Sequence, residues 1–163
     1  MRHDPPRNSR PLSEGKTNVA TKSLLANRII LGTVQLGLPY GINNPHGKPS
    51  LEEAFAILDA AKDLGISKID TADTYGNSEE ILGNYLAAKG GFELYSKFTF
   101  TPEKTNITAC LNRSLLRLQQ PKIAGYSFHK FKDFSDYRNL EELPTLIGVK
   151  TEHLGISVYS NQE

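Results

Sequence analysis

The chain has 163 residues, 38% apolar and 23% charged, with 19 Lys and Arg against 18 Asp and Glu for a formal net charge of +1. That length and composition fit one ordinary domain with a substantial core, and a near-neutral balance without a basic stripe leaves no nucleic-acid or membrane partner expected. The single cysteine, Cys110, rules out an intramolecular disulfide and a thiolate metal cluster, so a reducing, cytoplasmic setting and no metal are expected.

Residues 1–27 carry Arg2, Arg7, Arg10, Lys16 and Lys22, three prolines and almost no apolar residue before Leu24, and read as a flexible basic and polar tail. The segment lacks the apolar run of a signal peptide, and no stretch of the chain reaches transmembrane length. Arg28 to Leu31 is a short Ile-rich strand ending in Gly32-Thr33. The stretch Gln35 to Pro49 is too rich in Gly, Asn and Pro for regular structure. Ser50 and Glu53 then form a capping box, and Leu51, Ala54, Phe55, Leu58, Ala61 and Leu64 repeat at helical spacing up to Gly65, a left-handed C-cap.

Ile66 to Asp70 is a second strand that delivers Asp70 at its tip, and the polar turn after it presents Tyr75. A helix from about Glu79 to Ala88 follows, capped by Asn77 or Ser78, with Glu79 and Glu80 in its positive first turn. Gly90-Gly91 ends it. Glu93 to Phe98 reads as strand three with Lys97 near its end, and Ile107, Leu111, Leu115 and Leu118 mark a third helix in which Cys110 is a small apolar residue. Ile123 to Phe128 is strand four with His129 immediately after it. A helix including Leu140, Leu143 and Leu146 ends at Gly148, and His153 to Val158 is strand five.

Strand and helix in regular alternation mean crossover units and a parallel sheet. Strand one lacks the Gly-x-Gly-x-x-Gly turn of the doubly wound dinucleotide fold, since Gly32, Gly37 and Gly41 have the wrong spacing and no helix start between them. The expected class is therefore α/β, of (β/α)8 TIM-barrel lineage. A closed barrel typically needs about 250 residues, so the barrel over residues 28–163 is expected to be incomplete, with about five parallel strands and four helices. Open edges, with Ile and Val of the would-be interior facing water, predict self-association.

Asp70, Tyr75, Lys97 and His129 fall at the tips of neighbouring strands, where side chains about 4.8 Å apart per strand can converge. Taken singly, each has a structural reading: a turn acid, a rim aromatic, a solvated lysine and a satisfied histidine. Together they make a proton-transfer set. Lys97 beside the phenol is expected to lower the pKa of Tyr75, Asp70 to hold Lys97, and His129 to orient the same substrate oxygen. His46, on the long loop, and His153, at a strand start, carry no expected role.

On the motifs Leu31-Gly-Thr33, Ile69-Asp-Thr-Ala-Asp-Thr-Tyr-Gly76, Ser78-Glu-Glu-Ile-Leu-Gly83, Ser96-Lys97, Ser127-Phe-His129 and Leu154-Gly-Ile-Ser157, the chain resembles the N-terminal part of the aldo/keto reductases. The resemblance implies a barrel that binds NADPH without a Rossmann domain and reduces a small aldehyde or ketone, hydride coming from the nicotinamide and a proton from Tyr75. It also implies that Thr33, Asp70 and Ser157 line the nicotinamide end. Val158 stands where the family often has asparagine, and Lys130-Phe131 where it often has Trp-Pro. The family's grips on the cofactor phosphates come late in the barrel, so this chain by itself is expected to be inactive. The alternative is a truncated, non-catalytic remnant or a half-barrel that depends on a partner.

Overall fold

The computed structural model describes residues 26, 28–42, 44–102, 106–138, 140–145 and 149–160. The tail expected over residues 1–27 lies outside them except for Ala26, which is buried close to Gly65. Strands β1 (Ile30–Gly32), β2 (Lys68–Asp70), β3 (Glu93–Phe98), β4 (Ile123–Phe128) and β5 (Thr151–Ile156) pair in chain order, every pair parallel. Between them run α1 (Val34–Gly37), α2 (Leu51–Asp63), α3 (Ser78–Lys89), α4 (Ile107–Leu118) and α5 (Phe131–Asp136), the last followed by a 3-10 helix at Leu140–Thr145. Sequential parallel strands joined by helical crossovers are the arrangement of a (β/α)8 barrel, of which this five-stranded sheet is an incomplete part.

The core lies between one face of the sheet and the helices. Ile69, Phe98, Tyr126, Leu58, Leu82, Tyr85, Leu111 and Leu118 are fully buried there. Phe98 stacks on Tyr126 at 4.7 Å between ring centroids and packs on Phe128 at the same distance. Such aromatic pairs add about 0.5–1.5 kcal/mol each beyond the area they bury.

The opposite face, the inside of the would-be barrel, differs from the expectation. Register places Gly32, Asp70, Tyr95, Gly125 and His153 in one row and Lys97, Ser127 and Gly155 in the next. It is a polar face, not one of Ile and Val. The exposed apolar side chains sit at the two edges instead, Ile29 and Ile30 beside β1, Ile156 and Val158 beside β5. The reason is local: β2 and β3 alternate with a period of two, so Ile69, Leu94 and Phe98 turn outward to the helices while Asp70 and Lys97 turn inward.

Local signals decide the element ends. The capping box of α2 forms as expected: Ser50 N–H donates to Glu53 Oε2 at 2.7 Å and Glu53 N–H to Ser50 Oγ at 3.2 Å. At the other end Gly65 has φ +82, and its N–H and that of Ile66 donate to the carbonyls of Lys62 and Ala61. This crossed pair is a Schellman motif, and it delays β2 to Lys68. Three further expectations are corrected. Asn77 occupies the N-cap position of α3 without a capping side-chain bond, because its Oδ1 accepts from Lys48 Nζ. The loop after β1 contains the one-turn helix α1, which its glycines and prolines concealed. The helix expected to end at Gly148 is replaced by α5 and the 3-10 helix, the latter with Pro144 inside it, and residues 146–148 lie outside the described ones.

Candidate active site

The rim at the C-terminal ends of the strands is built by backbone bonds that extend the sheet past its last residues. Thr33 N–H donates to Asp70 O, Thr71 N–H to Tyr95 O, Asp73 N–H to Lys97 O, His129 N–H to Phe98 O and Ser157 N–H to Phe128 O, all at 2.8–3.0 Å. Each tip is thereby held against its neighbour. The chain then turns sharply: Tyr75 N–H donates to Ala72 O, Ser78 N–H donates to Tyr75 O, and Gly76 takes φ +59. That turn is buttressed by α1. A Cβ at Gly37 would lie 1.7 Å from Tyr75 O, and one at Gly76 would lie 2.3 Å from Gly37 O. Two glycines back to back thus fix where Tyr75 stands.

Asp70, Tyr75, Lys97 and His129 are brought together. Lys97 Nζ forms an ion pair with Asp70 Oδ2, donates to Thr71 O at 3.1 Å and lies 5.4 Å from the centroid of the Tyr75 ring. The Tyr75 and His129 rings meet edge to face at 5.7 Å and 89°. His129 is nine-tenths buried, and Thr74 Oγ1 is 3.4 Å from its Nδ1. Burial, then the nearby Lys97 and Lys130 charges, hold the imidazole below its usual pKa against the pull of Asp133 and Asp70, so the ring is neutral at pH 7.

The expected lowering of the Tyr75 pKa is reversed. Burial first, then the Asp70 carboxylate and the phenols of Tyr159 and Tyr40, push it up. The lysine lies over the ring, and its charge is matched by Asp70. A raised phenol stays protonated at neutral pH, the state a proton donor needs.

Thr33 is fully buried. Its hydroxyl donates to Asp70 O at 3.1 Å and accepts from Ser78 Oγ at 2.9 Å, so it touches the rim through Asp70 rather than directly. Ser157 is half-buried just beyond β5. Sequence reasoning missed the supports of the rim: Gly37, the Thr71–Ser78–Thr33 hydroxyl cluster, and Glu79, read as a first-turn acid but 2% exposed, accepting from Ser96 Oγ at 2.7 Å and from Arg117 Nη1 at 3.4 Å. For Thr71, Ser78 and Glu79 the signal lay in their places flanking Tyr75. Among the described residues no group of three or more His, Cys, Asp or Glu could hold a metal ion, and no helix is long and apolar enough to cross a membrane. A cavity of about 720 Å³ beside β1, walled by Leu31, Leu36, Pro49, Ala56 and Ile57 among others, contains none of the four rim residues.

Asp73, in the same turn, accepts from the Thr99 backbone amide, yet its Oδ1 is buried without a partner, and burial with the nearby Glu79 raises its pKa to about 6. The folded chain therefore holds this proton more tightly than the unfolded one, where the group titrates near 3.8. Stability contributed by the protonated form is full below about pH 4 and falls as pH rises to about 6. Asp73→Asn should flatten that dependence and, above pH 6, stabilise the fold by about 1–2 kcal/mol after solvent screening of this half-buried group is allowed for. Urea midpoints from pH 4 to 8 check it, and a variant less stable than the wild type at pH 7.5 contradicts it.

Three comparisons bear on this geometry. The model of the Aldo/keto reductase family matches residues 28–153. An uncharacterized oxidoreductase of Bacillus subtilis, YqkF, is 30% identical over 128 residues, covering 70% of this chain and 38% of that protein. Among solved structures, the Pseudomonas aeruginosa protein PA4992, assigned to the aldo-keto reductases, superposes with a TM-score of 0.65 and 30% identity over 79% of this chain and 54% of its own. A Klebsiella pneumoniae aldo-keto reductase in complex with NADPH gives 0.64 and 25% over 82% of this chain and 46% of its own. The chain thus spans 38% of the Bacillus protein and about half of the two solved chains.

Proposed function

Because the chain belongs to the aldo/keto reductase family, we propose that its rim is the proton-transfer half of an NADPH-dependent reductase of small aldehydes or ketones, working in the cytoplasm. The single observation that carries this is the convergence of Tyr75, His129 and the Lys97–Asp70 pair on one open rim. Asp70 and Ser157 would border the reacting end of such a cofactor; the Thr33 hydroxyl bond to Asp70 O, which braces that strand tip, supports the fit. NADPH, when bound, supplies the hydride to the carbonyl carbon.

The chain's own residues do the rest. Tyr75, kept protonated by its raised pKa, gives its proton to the carbonyl oxygen. Lys97 over the ring face then stabilises the phenolate left behind, and Asp70 keeps the lysine in place. Neutral His129 donates a hydrogen bond to the same oxygen. The described residues from 28 onward act as one partial barrel.

The test joins residues 28–160 to the remaining strands of the Pseudomonas barrel and follows NADPH consumption with a panel of aldehydes. The hybrid should turn over, and Tyr75→Phe should lower kcat about 10²–10⁴-fold. A Tyr75→Phe hybrid with undiminished kcat refutes the assignment. The 163-residue chain alone should show negligible turnover. A second reading, a half-barrel that self-associates, is supported by the unpaired β1 and β5 edges among the described residues and by exposed Ile29, Ile30, Ile156 and Val158. A monomer at every concentration on size-exclusion chromatography removes it.

A further inference from the structure

We propose that Thr74 is a positioning residue that sets the tautomer of His129, donating its hydroxyl proton to Nδ1 so that the ring carries its own proton on Nε2. The inference rests on the reductase reading for its purpose, but its geometry stands apart from it. Thr74 Oγ1 lies 3.4 Å from His129 Nδ1, a contact between residues 55 apart in sequence. Both partners are held. Thr74 sits inside the tight turn closed by Tyr75 N–H on Ala72 O, and the backbone of His129 is pinned to Phe98 O at 2.9 Å. The Tyr75 and His129 rings pack at 89° with centroids 5.7 Å apart, which restricts rotation of the imidazole.

In a neutral imidazole one nitrogen donates and the other accepts, and the partner of one decides the role of the other. A hydroxyl could serve either way. If it accepted from Nδ1–H, Nε2 would be left a bare acceptor and would repel a carbonyl oxygen. If it donates, Nε2–H becomes the donor that the oxygen needs. The groups facing the ring keep it neutral rather than doubly protonated: Lys97 and Lys130 oppose a second proton, Asp70 and Asp133 favour it, and burial outweighs the latter two. A tautomer fixed in advance saves the enzyme that selection step at the moment of reaction.

The experiment is long-range ¹H–¹⁵N correlation of the full chain at about pH 7.5, where the ring is neutral. His129→Gln identifies the signals, and His3, His46 and His153 serve as internal references. The wild type should show His129 with Nε2 protonated and Nδ1 bare. Thr74→Val should lose that single-tautomer pattern as the Nδ1–H form becomes populated, and Thr74→Ser should restore it. A wild-type ring protonated on Nδ1, or a Thr74→Val spectrum identical to the wild type, overturns the proposal. The readout needs neither cofactor nor substrate. Failure of the Tyr75→Phe test therefore leaves it standing, and its own failure leaves the reductase reading untouched.

Discussion

Gly83→Ala should destabilise the fold by about 3 kcal/mol or more, reversing the gain of about 1 kcal/mol that alanine normally brings over glycine inside a helix. Gly83 lies in the middle of α3, on the line where that helix crosses α4. A Cβ there would stand 2.1 Å from Arg117 O and 2.9 Å from the carbonyl carbon of Leu118. Both are backbone atoms, and neither can swing aside as a side chain would. To admit one methyl group the helices must separate along a seam that includes Leu82, Leu86, Leu111, Leu115 and Leu118, all in the core. Separation would also draw Arg117 away from Glu79, which would leave a buried carboxylate held by Ser96 alone. Urea unfolding followed by far-UV circular dichroism measures the effect. A variant as stable as the wild type would mean that the two helices are free to slide.

The extent to which sequence foretold this molecule varies with the range of the interaction concerned. β3 and β4 are legible to the residue, β3 as an alternation and β4 as a nearly continuous buried run, each with a clear stop at both ends. β5 lies two residues earlier than expected, at Thr151–Ile156, since its register is fixed by pairing Thr151 with Ile123 rather than by anything in its own composition. α5 escaped notice because its six residues are too few to show a helical period. The four rim residues could be read from their places at strand tips. Their electrostatics could not. The direction of the Tyr75 shift depends on ring orientation and burial, which spacing does not contain, and the inward polar face depends on which side of β2, β3 and β4 the helices cover.

Gly37→Ala tests whether the site is placed by this steric contact. Gly37 ends α1 with an ordinary negative φ, so alanine carries no conformational penalty of its own there. The whole effect must come from the methyl group, which would occupy the space of Tyr75 O, 1.7 Å from its Cβ. Either α1 or the Tyr75 turn has to move. The turn is tied to β3 through Asp73 N–H and to α3 through Ser78 N–H on Tyr75 O, so a methyl group that displaces Tyr75 O also moves the residue that carries the phenol. A displacement of about 1 Å at the reacting group can cost 10²-fold in rate. In the hybrid barrel, kcat should therefore fall about 10²-fold with a smaller change in KM, and the His129 ring signals should shift as the edge-to-face contact with Tyr75 opens. Gly47→Ala supplies the contrast. Gly47 has φ +71 but open space around it, so that variant loses about 1 kcal/mol of stability to backbone strain and keeps its rate. A Gly37→Ala hybrid with unchanged kcat and unshifted His129 signals would show that Tyr75 is located by Lys97 and His129 alone.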